Sequence, residues 1–309
     1  MSRSKKDIRF SCPLDCFDAC GLMATVIDNR VVKIRGDKDH PLTRGVSCIK
    51  GLKLLERHYH PQRLKTPQKK VGPKWIPVTW PEALDEIADK LIGTIDEFGS
   101  SSILNYAGGG HGGLAKKVDE VFFNYLGGVS VPRGSLCWGA GMAAQRYDFG
   151  DARGHHPADI AKSKMIILWG RNPADTNKHL VPFIRQARRA GATIVIIDPR
   201  RSASAELADY HLAIRPATDG ALALAMANTI IENGRYNAAF VKKRVLGFKR
   251  FREAIQGYTP EWASEITGIS NQAIASLAEH YTDHRPASIV IGYGLQRYEN
   301  GGNTVRSID

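Results

Sequence analysis

Four early cysteines constrain this chain more than any other feature. Cys12, Cys16 and Cys20 are spaced C-x3-C-x3-C, and Cys48 follows at a distance, with Lys50 and Gly51 directly behind it. A [4Fe-4S] cluster takes one protein thiolate per iron, so three neighbouring thiolates plus a remote one hold it without an open corner. Structural zinc usually takes its cysteines in C-x2-C pairs, because a two-residue knuckle fits a tetrahedral ion. Both short gaps here are three residues, which disfavours zinc without removing it. A cluster that binds S-adenosylmethionine uses three cysteines and leaves one iron open, and Cys48 argues against that form. Disulfides need an oxidising compartment, and nothing in the residues suggests secretion, so they are not expected.

The residues between Cys20 and Cys48 suit such a ligand set. Leu22-Met-Ala-Thr-Val-Ile27 and Val31-Val-Lys-Ile-Arg35 read as two short strands rich in β-branched residues, with Asp28-Asn29-Arg30 as their turn. A hairpin brings its ends together, so it returns the fourth cysteine to the first three. His40-Pro41 through Gly45 is then the loop that delivers Cys48.

Length and charge narrow the class. At 309 residues the chain is long enough for two or three domains, and 43% hydrophobic with 24% charged residues is an ordinary globular composition. No apolar run approaches a membrane span. The N-terminus is polar and basic, with no apolar segment behind it and no twin-arginine pair, so the expected location is the cytoplasm. The net charge of +12 raises the question of nucleic acid, and Lys50 to Lys74 carries eight basic residues against Glu56 alone. No zinc finger, helix-turn-helix or aromatic-interleaved RNA motif accompanies them. A dispersed basic surface serves anionic cofactors and substrates equally well.

Along the chain, residues 1–64 form the cysteine-bearing unit, and Pro61, Pro67, Gly72, Pro73 and Pro77 mark a linker. Thr79-Trp-Pro-Glu82 reads as a capping box opening a helix with Leu84, Ile87, Ala88, Leu91 and Ile95 on one face, ended by Gly99. Ser102-Ile-Leu-Asn-Tyr106 reads as a strand entering the Gly108–Gly113 loop, and a helix follows with Leu114, Val118, Val121, Phe122, Tyr125 and Leu126 on one face. Buried strands are expected at 165–169, 193–197 and 287–291, with helices near 179–190 and 220–232. The expected class is α/β: a small iron–sulfur β domain (1–64), an incomplete α/β domain (65–136 plus 285–309), and a Rossmann-like dinucleotide-binding domain inserted in it (137–284). Ligands of parallel sheets bind beyond the carboxyl ends of the strands, where Gly170–Thr176 and Asp198–Ser202 fall. The glycine loop lacks the Walker pattern, so ATP binding of that kind is unsupported.

Together these pieces resemble the molybdopterin oxidoreductase family of dimethyl sulfoxide reductase, formate dehydrogenases and nitrate reductases. Cys12-Pro-Leu-Asp-Cys16-Phe-Asp-Ala-Cys20 and Gly45-Val-Ser-Cys48-Ile-Lys50-Gly51 are similar to its cluster motif. Trp169-Gly170-Arg171-Asn172-Pro-Ala-Asp175 resembles its first dinucleotide loop, Asp198-Pro199-Arg200-Arg201-Ser202 its second, and Arg215-Pro-Ala-Thr218-Asp219 its third. Gly292-Tyr-Gly294-Leu-Gln296 resembles a later pterin-contacting strand end.

The resemblance implies Mo or W chelated by two molybdopterin guanine dinucleotides. Lys50 would then lie between cluster and pterin, Asp198, Thr218 and Asp219 would hold nucleotide, and Cys137 would ligate the metal. A thiolate suits a sulfur-coordinated Mo or W. It further implies a small-molecule substrate and a redox partner such as a ferredoxin-like subunit. Trp138 stands where formate dehydrogenases carry a histidine, and Phe17 where acetylene hydratase carries an acid, so neither reaction is specifically indicated. Asp15 and Asp18 flank the cysteines, and His111, His155 and His156 are candidate proton carriers, the latter pair also reading as a surface turn. Family members are at least about twice as long, so the expectation is an N-terminal fragment, inactive alone. Two other classes stay open: an iron–sulfur electron-transfer subunit of the same fold without Mo or W, and a zinc-containing basic nucleic-acid-binding protein.

Overall fold

The structure, a computed structural model, describes residues 4–14, 16, 18–108 and 117–309. Asp15, Phe17, His111 with most of its glycine loop, and Leu114 lie outside the described residues. The chain divides into two compact units, 1–133 and 134–309.

In the first unit, β1 (Lys5–Ser11), β2 (Gly21–Ile27) and β3 (Arg30–Gly36) form an antiparallel sheet in that order. The expected hairpin is β2–β3. Ile27 pairs with Arg30, and Asp28 and Asn29 turn the chain at φ of 48° and 61°. Two central residues at positive φ match the right-handed twist of the strands, and Asn and Asp tolerate that conformation. Two short helices follow, α1 (Ile49–Leu52) and α2 (Leu54–His58).

The segment expected as a linker contains a second hairpin, β4 (Gln68–Val71) with β5 (Lys74–Pro77). Its Gly and Pro residues serve the hairpin. Gly72 at φ 59° and Pro73 form the turn, while Pro77 closes a strand of a two-stranded ribbon, where a missing N–H is tolerated. α3 (Trp80–Phe98) starts as its capping box predicts: the Thr79 hydroxyl accepts from the Glu82 N–H, and the Glu82 carboxylate accepts from the Thr79 N–H at 2.8 Å. The strand expected at 102–106 reduces to one parallel bridge, Leu104 with Ser130, before and after which lie Gly99 and α4 (Val118–Tyr125).

The second unit opens with α5 (Gly139–Phe149) and continues through β6 (Met165–Trp169), α6 (Pro173–Thr176), α7 (Val181–Arg189), β7 (Thr193–Ile197) and β8 (Tyr210–Leu212). Then come α8 (Asp219–Glu232), α9 (Ala238–Arg244), α10 (Phe248–Ala254), α11 (Pro260–Thr267), α12 (Asn271–Asp283), β9 (Ala287–Ile291) and α13 (Gly301–Ile308). The sheet is parallel throughout, in the order β8-β7-β6-β9. Residues 285–309, expected to complete the 65–136 domain, here add β9 to this sheet, with Ile291 in register with Trp169.

Met165, Ile166, Ile167 and Leu168 are wholly inaccessible to solvent. A strand covered on both faces reads as a continuous apolar run, which is why these strands are legible in the sequence. Ile167, Val195 and Ile197 pack with Leu222, Ala263 and Leu277 from α8, α11 and α12, while Ile166 and Ile196 point to the opposite face. Each such side chain contributes about 1.5–3 kcal/mol on burial. The strands β6, β7 and β9 end level, at Trp169, Ile197 and Ile291, and this carboxyl edge carries the loops of interest. Among the described residues, no helix is long and apolar enough to cross a membrane.

Candidate cofactor-binding sites

The four early cysteines gather at one end of the first sheet. The β1–β2 ladder runs to Ser11 opposite Gly21 and then one step further, with the Cys12 N–H donating to the Cys20 carbonyl at 2.8 Å. Cys16 is exposed, and Ala19 stands at φ 41° just before Cys20. The loop after β3 folds back on the same end. Asp37 N–H donates to the Gly21 carbonyl at 2.9 Å, and a Cβ on Gly36 would stand 2.0 Å from the Gly45 carbonyl oxygen. Only glycine permits that close pass. Cys48 then precedes α1, and a Cβ on Gly51 would lie 3.9 Å from the Cys12 sulfur. The loop therefore returns the fourth cysteine to the first.

Electrostatics tell the same story. Burial pushes the Cys20 thiol up to about 12, with the Asp18 carboxylate and the thiols of Cys12, Cys16 and Cys48 adding to the effect. Burial also raises the Cys12 thiol, and Cys16 and Cys48 again contribute. Cys16 and Cys48 thus act on both the Cys12 and the Cys20 thiol, so the four sulfurs lie near one another. Cationic iron relieves both the repulsion and the burial penalty, so this donor set fits a [4Fe-4S] cluster. Lys50, the second residue of α1, is exposed.

At the carboxyl edge of the second unit's sheet, two glycines let the backbones crowd together. Gly170 has φ 57° and its N–H donates to Ile197 at 2.7 Å, while Gly292 N–H donates to Trp169 at 2.8 Å. A Cβ on Gly292 would meet the Gly170 carbonyl oxygen at 1.7 Å. Trp169 turns its ring into the core, where its indole N–H donates to the Asp219 carboxylate at 2.8 Å. Burial raises the Asp219 carboxyl, the indole hydrogen bond opposes this, and the Asp198 carboxylate nearby raises it further. Asp198 accepts the Arg200 N–H at 2.8 Å, while Pro199, Arg200 and Arg201 are exposed.

Other loop residues are tied to one another. Asn172 donates to Asp175 at 2.7 Å and accepts from the Ser204 hydroxyl at 2.6 Å, and Arg171 donates to Asn177 at 2.9 Å. Thr218 donates to the Arg215 carbonyl at 2.7 Å. The Ser202 hydroxyl is buried and has no protein partner among the described residues. An orphaned buried hydroxyl at the end of the Asp198–Ser202 loop is the kind of group a bound polar ligand satisfies. With the paired glycines and the two acids, this edge fits a dinucleotide.

Cys137 is exposed, two residues before α5. Its backbone N–H donates to the Ser135 hydroxyl at 3.1 Å, and Arg297 lies beside its sulfur, with Nη2 to Sγ at 3.6 Å. Sequence reasoning missed Arg297, because nothing local ties residues 160 positions apart. Gln296 is buried, accepting the Gly141 N–H at 2.7 Å; Gly294 is exposed. Trp138 meets Tyr293 edge to face at 5.7 Å. His156 accepts the Ala158 N–H at 3.2 Å, capping a surface turn.

Comparison with known proteins gives the family. A model of the molybdopterin oxidoreductase family matches residues 63–309, and one of the molybdopterin oxidoreductase Fe4S4 domain matches residues 9–60. The probable oxidoreductase YyaE of Bacillus subtilis is 40% identical over 97% of this chain and 45% of its own length. Dimethyl sulfoxide reductase DmsA of Haemophilus influenzae is 33% identical over 96% of this chain and 42% of its own. Among solved structures, acetylene hydratase from Pelobacter acetylenicus superposes with a TM-score of 0.77 at 26% identity, over 95% of this chain and 41% of that one. The chain thus spans less than half the length of these relatives. It belongs to the molybdopterin oxidoreductase family, and its cofactors are a [4Fe-4S] cluster and molybdopterin-held Mo or W.

Proposed function

We propose that this chain is the cofactor-carrying part of a molybdenum- or tungsten-dependent oxidoreductase acting on a small molecule by two-electron oxygen-atom transfer or dehydrogenation. Electrons leave singly through a cluster held by Cys12, Cys16, Cys20 and Cys48, toward a redox partner such as a ferredoxin-like subunit. The observation that carries this reading is the return of Cys48 to Cys12 and Cys20 at the end of β1 and β2, in a chain whose second unit sets two glycines and two acids at the carboxyl edge of its sheet. When bound, the pterin-held metal supplies the two-electron redox chemistry; the protein binds, orients and tunes it.

Cys137 is proposed as the protein ligand of that metal and Lys50 as the cation between cluster and pterin. Asp198, Thr218 and Asp219 hold nucleotide hydroxyl and N–H groups, and Ser202 completes its hydrogen bonding on the same ligand. The backbone of Gly170 and Gly294, with Arg171, Asn172, Asp175, Arg200 and Arg201, lines the phosphate and pterin path. Trp169 acts through Asp219, which it holds in place. Gln296 acts through Gly141, which it ties to the strand end.

The test is anaerobic production of the complete protein with analysis for Fe, Mo and W, alongside Cys137→Ala. Wild type should hold all the expected metals, and the variant should lose turnover while keeping its cluster. Iron without Mo or W would instead identify an electron-transfer subunit, and unchanged turnover in Cys137→Ala would remove that residue as the ligand.

A further inference from the structure

We propose that Arg297 is a positioning residue for Cys137, fixing its sulfur and tuning the metal bound there by donating to the thiolate directly. This rests on the reading of Cys137 as metal ligand. The guanidinium engages the one cysteine twice: Nη2 reaches Sγ at 3.6 Å and Nε reaches the Cys137 carbonyl oxygen at 3.4 Å. A planar fork that spans the sulfur and carbonyl of one residue restrains the side chain against its own backbone, which a single ammonium does not reproduce.

The support behind Arg297 is itself fixed. Its neighbour Gln296 is buried and accepts the Gly141 N–H at 2.7 Å, inside the first turn of α5. A Cβ on Gly301 would stand 2.4 Å from the Gln296 carbonyl, so α13 backs the same turn at van der Waals distance. Two consecutive residues after β9 thus pin both sides of the Cys137–Gly141 segment across some 155 to 160 positions of sequence. An incidental surface arginine has no such backing.

Sulfur is a weak acceptor from neutral donors, and a charge-assisted donor is best matched to an anionic thiolate. A hydrogen bond to a ligating sulfur draws electron density from it, weakens its donation to the metal and favours the reduced state. Arg297 therefore raises the reduction potential of a metal held by Cys137.

The experiment uses the complete protein, purified anaerobically with its cofactors, as wild type and Arg297→Leu. An EPR-monitored redox titration follows the Mo(V) or W(V) signal, with the cluster as internal reference. In Arg297→Leu the metal's potential should fall and its signal should change shape, while the cluster potential stays put. An unchanged metal potential and signal overturn the proposal. Should Arg297→Leu fail to fold, Arg297→Lys decides alone by the same criterion, since lysine cannot span both acceptors. X-ray absorption on Cys137→Ala separates the two layers of the argument. If no metal-bound sulfur is lost there, the ligand reading fails and Arg297 with it; if one is lost while the Arg297 variants match wild type, only the role of Arg297 falls.

Discussion

The two units treat similar apolar residues differently. Ile167 in β6 is wholly inaccessible, whereas Leu84, Ile87 and Ile92 on α3 are 57%, 54% and 56% exposed, and no residue of that helix is buried. Both segments announce themselves by hydrophobic pattern. The pattern says which face requires cover, and it is silent on whether this chain provides it. The second unit is held by its own core. In the first, the buried apolar side chains are Cys20, Leu22, Ala24 and Val26, on and beside β2, a small core next to the cysteines. Its order is therefore expected to depend on ligation, as in small domains where metal binding and folding share one free energy.

That contrast is most sharply broken or upheld by iron removal. Chelating the iron, or replacing Cys20 with alanine, should abolish hydrogen-exchange protection in residues 4–60 and leave β6, β7 and β9 protected. Equal loss in both units would erase the distinction. Next in size is the core itself. Ile167→Ala should cost about 2–5 kcal/mol in denaturant unfolding of the second unit. Leu84→Ala in the same chain should cost no more than about 0.5 kcal/mol, as surface substitutions do. Similar costs would mean that α3 is covered after all.

A smaller effect comes from pH. The Asp219 carboxyl is raised by burial, so the folded unit holds its proton more tightly than the unfolded chain. Its stabilising contribution is complete below the ordinary carboxylate range and is lost as pH rises through the raised value. Asp219→Asn keeps an acceptor for the Trp169 indole and should flatten that dependence in the cofactor-free protein, measured as melting temperature against pH. A dependence as steep as in wild type would assign it to another group.

How much was legible follows from burial. Strands 165–169, 193–197 and 287–291 read to the residue because they are short, nearly continuous apolar runs. The first is fully buried, the second is buried but for Thr193, and the third is half-buried at the sheet edge. β1 is invisible because Lys5-Lys-Asp-Ile-Arg-Phe-Ser11 is an edge strand with almost no burial, so no alternation marks it. The β4–β5 hairpin hides because Gly72-Pro73 and Pro77 spell a linker as readily as a turn and a strand end. The return of the Cys48 segment to Cys12 was readable from hairpin logic, since local chain reversal brings it back. Arg297 was not, because its partnership with Cys137 is made by tertiary packing alone. The same holds for Trp169, whose ring turns into the core to bond Asp219 at the start of its loop.

The central claim is that Cys12, Cys16, Cys20 and Cys48 form one cluster site serving a pterin-held metal. The most direct measurement is iron and acid-labile sulfide content with EPR of the dithionite-reduced, anaerobically purified protein. About four irons and one cluster spin per chain are predicted. A colourless protein without iron, or one carrying a single zinc in its place, would contradict the account.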